Sequence, residues 1–271
     1  MKMIFAIALA LTLAGCATVD TTMKEQSGAL ETPQVITKQR IPEILTVPDP
    51  AGEPVPIAVY SFNDKTGQRK PNDNVALLSS AVTQGSEVFL IKALKDAGNG
   101  KWFKPIERVG LDDLVKERQL IRSQRETYEG QQAKPLEPLL VAGVLIEGGV
   151  VGYDTNISSG GVGAAFLGIG VDKQYRVDQV VVVMRLVSVG TGEVLLSVGT
   201  SKTIYSTVGS VNLLKFVDSG TKDVQFEAGS SINEPTTYAV RVAIEAAVVD
   251  MIREGQKAKL WSYKKPVPKK K

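Results

Sequence analysis

The stretch SSGGVGAAFLGIGVDKQYRVD, residues 158–178, decides how the chain is read. Ile169, Val171, Tyr175 and Val177 fall on one face of an extended strand, and Asp172, Gln174, Arg176 and Asp178 on the other, with Lys173 the exception. That is period-two alternation with one apolar and one hydrophilic face. The run before it is built from small residues, with Val162, Ala164 and Phe166 sharing a face and Leu167-Gly168 supplying a turn. The glycines do not make a nucleotide loop. Gly161-Val162-Gly163 is followed by Phe166 where a dinucleotide fingerprint needs glycine, and no Lys follows Gly163 to Gly168 as a phosphate loop requires.

A second stretch, 203–230, repeats the pattern less regularly. Val211 and Leu213 alternate with Asn212, then the phase slips so that Leu214 and Phe216 flank Lys215. Asp218-Ser219-Gly220-Thr221 offers a turn, after which Val224, Phe226 and Ala228 alternate with Gln225 and Glu227. Strands of about ten residues, apolar on one side and polar on the other, are the signature of transmembrane β-strands. Such strands must close into a barrel, because each unpaired backbone group in hydrocarbon costs several kcal/mol. Two hairpins cannot close one alone, so a membrane reading demands a ring of copies. On alternation alone, an ordinary surface hairpin with one wet face is the commoner outcome.

Around these stretches the chain alternates strands and helices. Ile57 to Phe62 predicts a strand, followed by the polar stretch Asn63 to Asn74. Ser86 to Ala97 predicts a helix ended by Gly98-Asn99-Gly100, and Trp102 to Ile106 a short strand. Leu111 to Glu126 predicts a second helix with Leu111, Leu114, Val115, Arg118 and Ile121 on one face. The nearly unbroken apolar run Leu139 to Val151 predicts a buried strand. Val180 to Val189 and Glu193 to Val198 predict a hairpin about Gly190-Thr191-Gly192. The last helix is expected from Pro235 to Glu254, with Gly255 just past its end. The expected partition is therefore an α/β domain at 57–153, 179–202 and 231–256, with hairpins at 154–178 and 203–230.

The N-terminus carries Lys2, an apolar run from Ile4 to Leu13, then Leu13-Ala14-Gly15-Cys16. A basic start, about ten apolar residues and small residues make a secretory signal, too short for the roughly 20 residues of a membrane-spanning helix. The ending resembles the bacterial lipobox, which implies removal of residues 1–15 and acylation of Cys16. Ala17 after the cysteine then points to the outer membrane. Residues 16–56, with Pro33, Pro42, Pro48, Pro50, Pro54 and Pro56, are expected to form an extended tether.

Cys16 is the only cysteine, so no intrachain disulfide is available, and the absence of histidine removes imidazole-based catalysis and zinc binding. No HExxH, DxDxDG or GxxxxGK[ST] signature occurs, so neither enzymatic activity nor a cofactor is expected. The formal charge of +3 owes much to Lys264, Lys265, Lys269, Lys270 and Lys271, which leave the body slightly acidic. This basic tail, 257–271, with Pro266 and Pro268, is expected to be solvated. No nucleic-acid partner is expected.

Ser159-Gly160-Gly161-Val162-Gly163-Ala164, Gly168-Ile169-Gly170 and Gln174-Tyr175 resemble the first membrane hairpin of the CsgG family, the curli secretion channels. The resemblance continues through Asp64-Lys65-Thr66-Gly67-Gln68, Trp102-Phe103, Glu107-Arg108, Leu114 to Arg122, Ile146-Glu147-Gly148 and Gly152-Tyr153. It resumes at Ser188 to Glu193, Thr200 to Ile204 and Asn233-Glu234-Pro235, covering roughly residues 55–255. It implies an α/β periplasmic domain whose two β-hairpins per chain enter a shared oligomeric transmembrane β-barrel of about nine chains and about 36 strands, the largest count known for such barrels. Val162, Phe166, Ile169, Val171, Tyr175, Val177, Phe216, Val224 and Phe226 would face lipid.

The resemblance further implies an outer-membrane lipoprotein through which unfolded curli subunits pass passively, with a periplasmic accessory capping the vestibule and a surface partner at the pore. The family's constriction follows the first strand and matches Gly67 to Leu78 here, with a one-residue insertion. Asn72 stands where the family carries tyrosine, and Leu77 or Leu78 near its phenylalanine, so Asn72, Asn74 and Leu78 are the candidates. The competing expectation is a non-pore, periplasm-facing lipoprotein of the same fold that binds an envelope partner or polymer.

Overall fold

In the computed structural model, which describes residues 40–67, 82–130, 134–159, 174–208, 214–218 and 235–265, Val55–Asp64 forms strand β1 and Phe103–Ile106 forms β2. Val144–Ser159 forms β3, Gln174–Ser188 β4, Val194–Val208 β5 and Leu214–Asp218 β6. They make a single sheet in the order β2-β1-β3-β4-β5-β6. β1 runs parallel to β2 and β3, and the remaining neighbours are antiparallel. Parallel neighbours need a crossover. The helix Ser86–Asp96 lies between β1 and β2 in the chain and supplies one. Pro42–Thr46, Ser86–Asp96, Leu111–Glu129 and Pro235–Lys257 are helices α1 to α4 here.

One face of the sheet is covered by α2 and α4. Along β4 the even positions Asp178, Val180, Val182, Met184 and Leu186 are buried, while the odd positions from Val177 to Val187 are more open. Ile57, Val59 and Phe62 of β1 and Ile146 and Val150 of β3 join the same core. On α4, Ala239, Val240, Ala243, Ile244, Ala247, Val248 and Met251 are buried at three- and four-residue spacing, and Val242, Glu245, Val249 and Ile252 are buried as well, because α1 and α2 also pack on this helix. The alanines keep α4 close to the sheet, and the Thr200 hydroxyl of β5 reaches the Ala243 carbonyl at 2.7 Å.

Several boundaries differ from the sequence expectation. β3 starts at Val144 rather than Leu139, and Leu140 and Val141 are exposed. The cause is pairing: β3 meets β1 first at Ile57↔Val144, so the preceding apolar residues have no strand beside them. The Leu140 carbonyl instead accepts from Arg108 at 2.8 Å, while those of Glu137 and Lys134 accept from Arg118 and Arg125 of α3. Arg118 and Arg125 tie residues 134–137 to α3, none of whose residues is buried. At the C-terminus, α4 continues through Gly255 to Lys257. Gly255 is there for contact and not as a stop, since a β-carbon would collide with the Trp261 ring.

The expected tether is docked from Arg40 onward, and the expected tail is folded back as far as Tyr263. Ile44 is fully buried, the Ile41 N–H donates to Glu245 of α4 at 2.8 Å, and Arg40 pairs with Asp96 at 3.1 Å. The Trp102 indole donates to the Pro48 carbonyl at 2.9 Å, and Pro50 bridges to Tyr263. Trp261 and Tyr263 meet Trp102 edge-on, each with ring centroids 5.8 Å apart. Edge-to-face pairs add about 0.5–1.5 kcal/mol beyond burial, so the apolar residues Ile41 and Ile44 on one side and the aromatic Trp261 and Tyr263 on the other override the prolines around them.

Candidate functional site

The sheet gathers three connections at one end. β1 and β3 both end there, β4 begins there, β5 ends there and β6 begins opposite the end of β5. Segment 68–81 therefore leaves from the same end as segments 160–173 and 209–213. The levels differ. The last pair of β1 with β3 is Asp64↔Val150, whereas β3 continues to Ser159, paired with Gln174. At about 3.3 Å per residue, those nine further residues carry β3 about 30 Å beyond β1.

Two polar assemblies mark where the strands leave the covered core. The first closes the base of segment 68–81. One Asp64 oxygen accepts from the Thr66 N–H at 2.9 Å and the Thr66 hydroxyl at 2.6 Å, and the other from the Gln84 amide at 3.1 Å. The buried Ser86 hydroxyl donates to the Phe62 carbonyl at 2.5 Å, and the Lys65 N–H to the Val150 carbonyl at 2.8 Å.

The second assembly lies under the start of α4. Tyr153 donates its hydroxyl to Asp178 at 3.0 Å, and Thr236 donates to the Tyr153 hydroxyl at 3.4 Å. Asp178 is fully buried and Lys202 is 8% exposed. Asp178 is opposite Ile204 on β5, so Lys202 lies two positions along that strand on the same face. Cross-strand diagonals of this kind bring long side chains within reach of one another.

Val177 and Asp178 fall on opposite faces, as the alternation predicts, but the hydrophilic face is not wet at this level because α4 covers Asp178. Val177 is half-buried and pairs with Asn156 and Tyr205. By backbone pairing, Tyr175 lies opposite Ser158 and Thr207 on the Val177 face, whereas Phe216 lies opposite Ser206, which pairs with Arg176, and so falls on the other face, against the expectation that it shares the Val177 side. Cys16, Asn72, Asn74, Leu78, Val162, Phe166, Ile169, Val171, Val224 and Phe226 lie outside the described residues.

The turn expected at Asp218 to Thr221 does not close the second β-pair. β5 and β6 pair from Val208↔Leu214 to Ile204↔Asp218, so the chain reverses within 209–213. The phase slip before Leu214 in the sequence is the mark of that reversal.

Sequence reasoning missed Asp64, Gln84, Tyr153 and Lys202 as structural partners. An Asp followed two residues later by Thr is the signal of an Asx-type turn, and it was available for Asp64. Among the described residues no group of three or more His, Cys, Asp or Glu is placed to hold a metal. No described helix is long and apolar enough to cross a membrane, a statement that does not bear on β-strands.

The family described as "Curli production assembly/transport component CsgG" matches residues 38–271. The protein of that name from Escherichia coli K12 is 37% identical over 263 residues, covering 96% of this chain and 91% of its own. Its counterpart from Salmonella typhimurium LT2 is 40% identical over 225 residues, covering 82% of this chain and 79% of its own. Among solved structures, a PelC dodecamer from Paraburkholderia phytofirmans aligns at 13% identity with a TM-score of 0.26, over 75% of this chain and 92% of that one. At that score the likeness carries no weight. The two sequence relatives and the match across the whole described fold place the chain in the CsgG family of curli production assembly/transport components.

Proposed function

We propose that the chain is one protomer of a homo-oligomeric outer-membrane channel through which unfolded curli subunits leave the cell by passive translocation. The observation that carries this reading is the extension of β3, β4 and β5 past the covered core, at the end where segment 68–81 also departs. Past Thr155, which pairs with the buried Asp178, β3 runs four more described residues, about 13 Å, toward the alternating stretch.

The register of the β3–β4 ladder supports the assignment of faces. Continued beyond Ser159↔Gln174, it would set Val171 against Val162 and Ile169 against Ala164. Both predicted apolar stripes then share the face on which Val177 lies, away from α4. In this reading Val162, Phe166, Ile169, Val171, Tyr175 and Val177 meet lipid, with Val224 and Phe226 beside them, and the opposite face, to which the register assigns Phe216, lines water. About nine copies, each lending four strands, close a barrel of about 36.

Acylated Cys16 anchors each protomer to the outer membrane, and the α/β body stands in the periplasm. Segment 68–81 narrows the channel with Asn72, Asn74 and Leu78. Amides there exchange hydrogen bonds with a passing backbone as both donors and acceptors, so no one register of the passing chain is held. Translocation on this reading needs no bond-making step or cofactor. Its partners are the unfolded subunit, the periplasmic and surface accessories of curli production, and outer-membrane lipid.

Extraction of the full-length protein in mild detergent followed by electron microscopy tests the proposal. The expected particle is a ring with a central channel. A monomeric lipoprotein with no conductance in planar bilayers would overturn it in favour of a periplasm-facing binding role.

A further inference from the structure

We propose that the groove between α3 and the stretch 134–139 is a docking site for an acidic, leucine-bearing segment of a partner protein. α3 runs for 19 residues without one that is buried. A helix of that length is marginal in water when nothing packs on it. Its neighbour is the extended stretch that runs back along it: Arg125 donates to the Lys134 carbonyl at 2.8 Å and Arg118 to that of Glu137 at 2.6 Å. Helix and stretch border a cavity of about 540 Å³, a volume within the range of ligand sites.

The walls divide by chemistry. Arg118, Arg122, Arg125 and Lys134 line the cavity against a single carboxylate, Glu126. Glu126 meets Arg122 at 3.4 Å with both side chains well exposed, so that pair is weak and open to exchange. Arg118 and Arg125 each commit an N–H to a carbonyl, which holds the guanidinium in place and leaves further donors. A guanidinium held in this way can grip a carboxylate with two parallel bonds. Val115, Leu136 and Leu139 supply the apolar wall, and Val115 and Leu139 are more than a third exposed.

The excess of cations selects an anionic occupant, and the apolar wall selects one that also carries hydrocarbon. From Val115 to Glu126 the helix rises about 16 Å, the length of about five residues of extended peptide. A free phosphate would leave the leucines uncovered. Lipid is set aside by position, and only this step rests on the channel reading. Leu139 is four residues before Gly143, whose N–H donates to the Pro56 carbonyl at the start of β1. The groove therefore lies toward the end of the sheet where β3 begins, whereas β3 leaves the core some 50 Å along, at Ser159.

The test measures binding of a fluorescein-labelled peptide of about ten residues, glutamates interrupted by two leucines, to the full-length lipidated protein in detergent. Fluorescence anisotropy should show saturable binding that weakens with salt. Arg122→Glu with Lys134→Glu should weaken it by about tenfold or more, and Leu139→Ser by about threefold. These changes leave the Arg118 and Arg125 ties in place, since Lys134 takes part through its backbone carbonyl. An unaltered near-ultraviolet signal from the Trp102–Trp261 pair checks the fold of each variant.

Equal affinity of wild type and the double variant overturns the site, as does equal binding of a peptide with Lys in place of Glu. Equal binding of a peptide with Ser in place of Leu overturns the apolar half of the recognition. Displacement of the peptide by phosphatidylglycerol vesicles from wild type alone would assign the groove to lipid instead. Rings that exclude the peptide, and that fall apart on Arg122→Glu, would assign it to a second copy of the chain. If the wild-type protein forms no ring, the channel reading fails, while saturable binding lost in the double variant still supports the docking site.

Discussion

A β-carbon at Gly148 would strike the Val183 carbonyl oxygen, the Met184 Cα and the Phe62 ring at once, so β3 can lie between β1 and β4 here only as glycine. Gly149 beside it has φ of +155°, and its β-carbon would meet the Asn63 carbonyl. Gly148→Ala therefore forces backbone apart and should cost about 3 kcal/mol, the upper end for overpacking. Both tryptophans of the chain sit in the Trp102–Trp261 ring pair. Near-ultraviolet circular dichroism during thermal unfolding reads the loss directly, and an unshifted midpoint would contradict the contact.

Glu245 makes a second residue-level case. Burial is the main reason its carboxyl pKa is raised, and Asp96 adds to the rise, while the Ile41 N–H, Arg241 and Lys92 oppose it. A raised folded pKa means that the folded state keeps its proton where the unfolded chain has lost it. The group's stabilising contribution is complete below the unfolded pKa and disappears as pH rises through the folded one. Glu245→Gln cannot ionise and still offers an oxygen to Ile41. Thermal midpoints of variant and wild type measured from about pH 4 to pH 8 should therefore diverge, with the variant gaining as pH rises. Parallel curves would show that Glu245 carries no such cost.

At the scale of elements, the ladders run without interruption through Asp154↔Gln179, Thr155↔Asp178 and Val180↔Lys202, the places where the sequence had suggested domain edges. Composition changes there from valine and methionine to Tyr153, Asp178 and Lys202, but backbone pairing does not respond to composition. That is why the alternation of strands and helices was legible while strand lengths were not. The α4 start was legible in Pro235, whose fixed φ suits a first helical position. The start of β3 was not, because Leu139 to Val141 are as apolar as a strand and lack only a neighbour. The Asp64 ties were hidden for a related reason: Gln84 is remote in sequence, and only the fold brings it back.

The proposed lipid face makes an element-level prediction. Val171→Arg should cost about 2–4 kcal/mol per protomer if that position meets the bilayer midplane. Gln174→Arg, on the opposite strand face, should leave assembly intact. Equal recovery of heat-stable rings from outer membranes for both variants would refute the assignment of faces.

At the scale of the whole molecule, a ring multiplies each side chain of the constriction by the number of protomers. A pore must bind its cargo weakly enough to release it, and Asn72 and Asn74 offer short amides that meet this condition. Replacing Asn72 with Trp adds a large ring per copy while leaving the ties at Asp64 and Ser86 untouched, so assembly should proceed normally. Single-channel conductance and secretion of curli subunits should then fall together, because both depend on the same opening. If Asn74→Trp and Leu78→Trp also leave conductance at the wild-type value in intact rings, segment 68–81 does not line the narrowest point. A fall in secretion alone, at full conductance, would instead locate Asn72 at a contact with the cargo and not at the constriction.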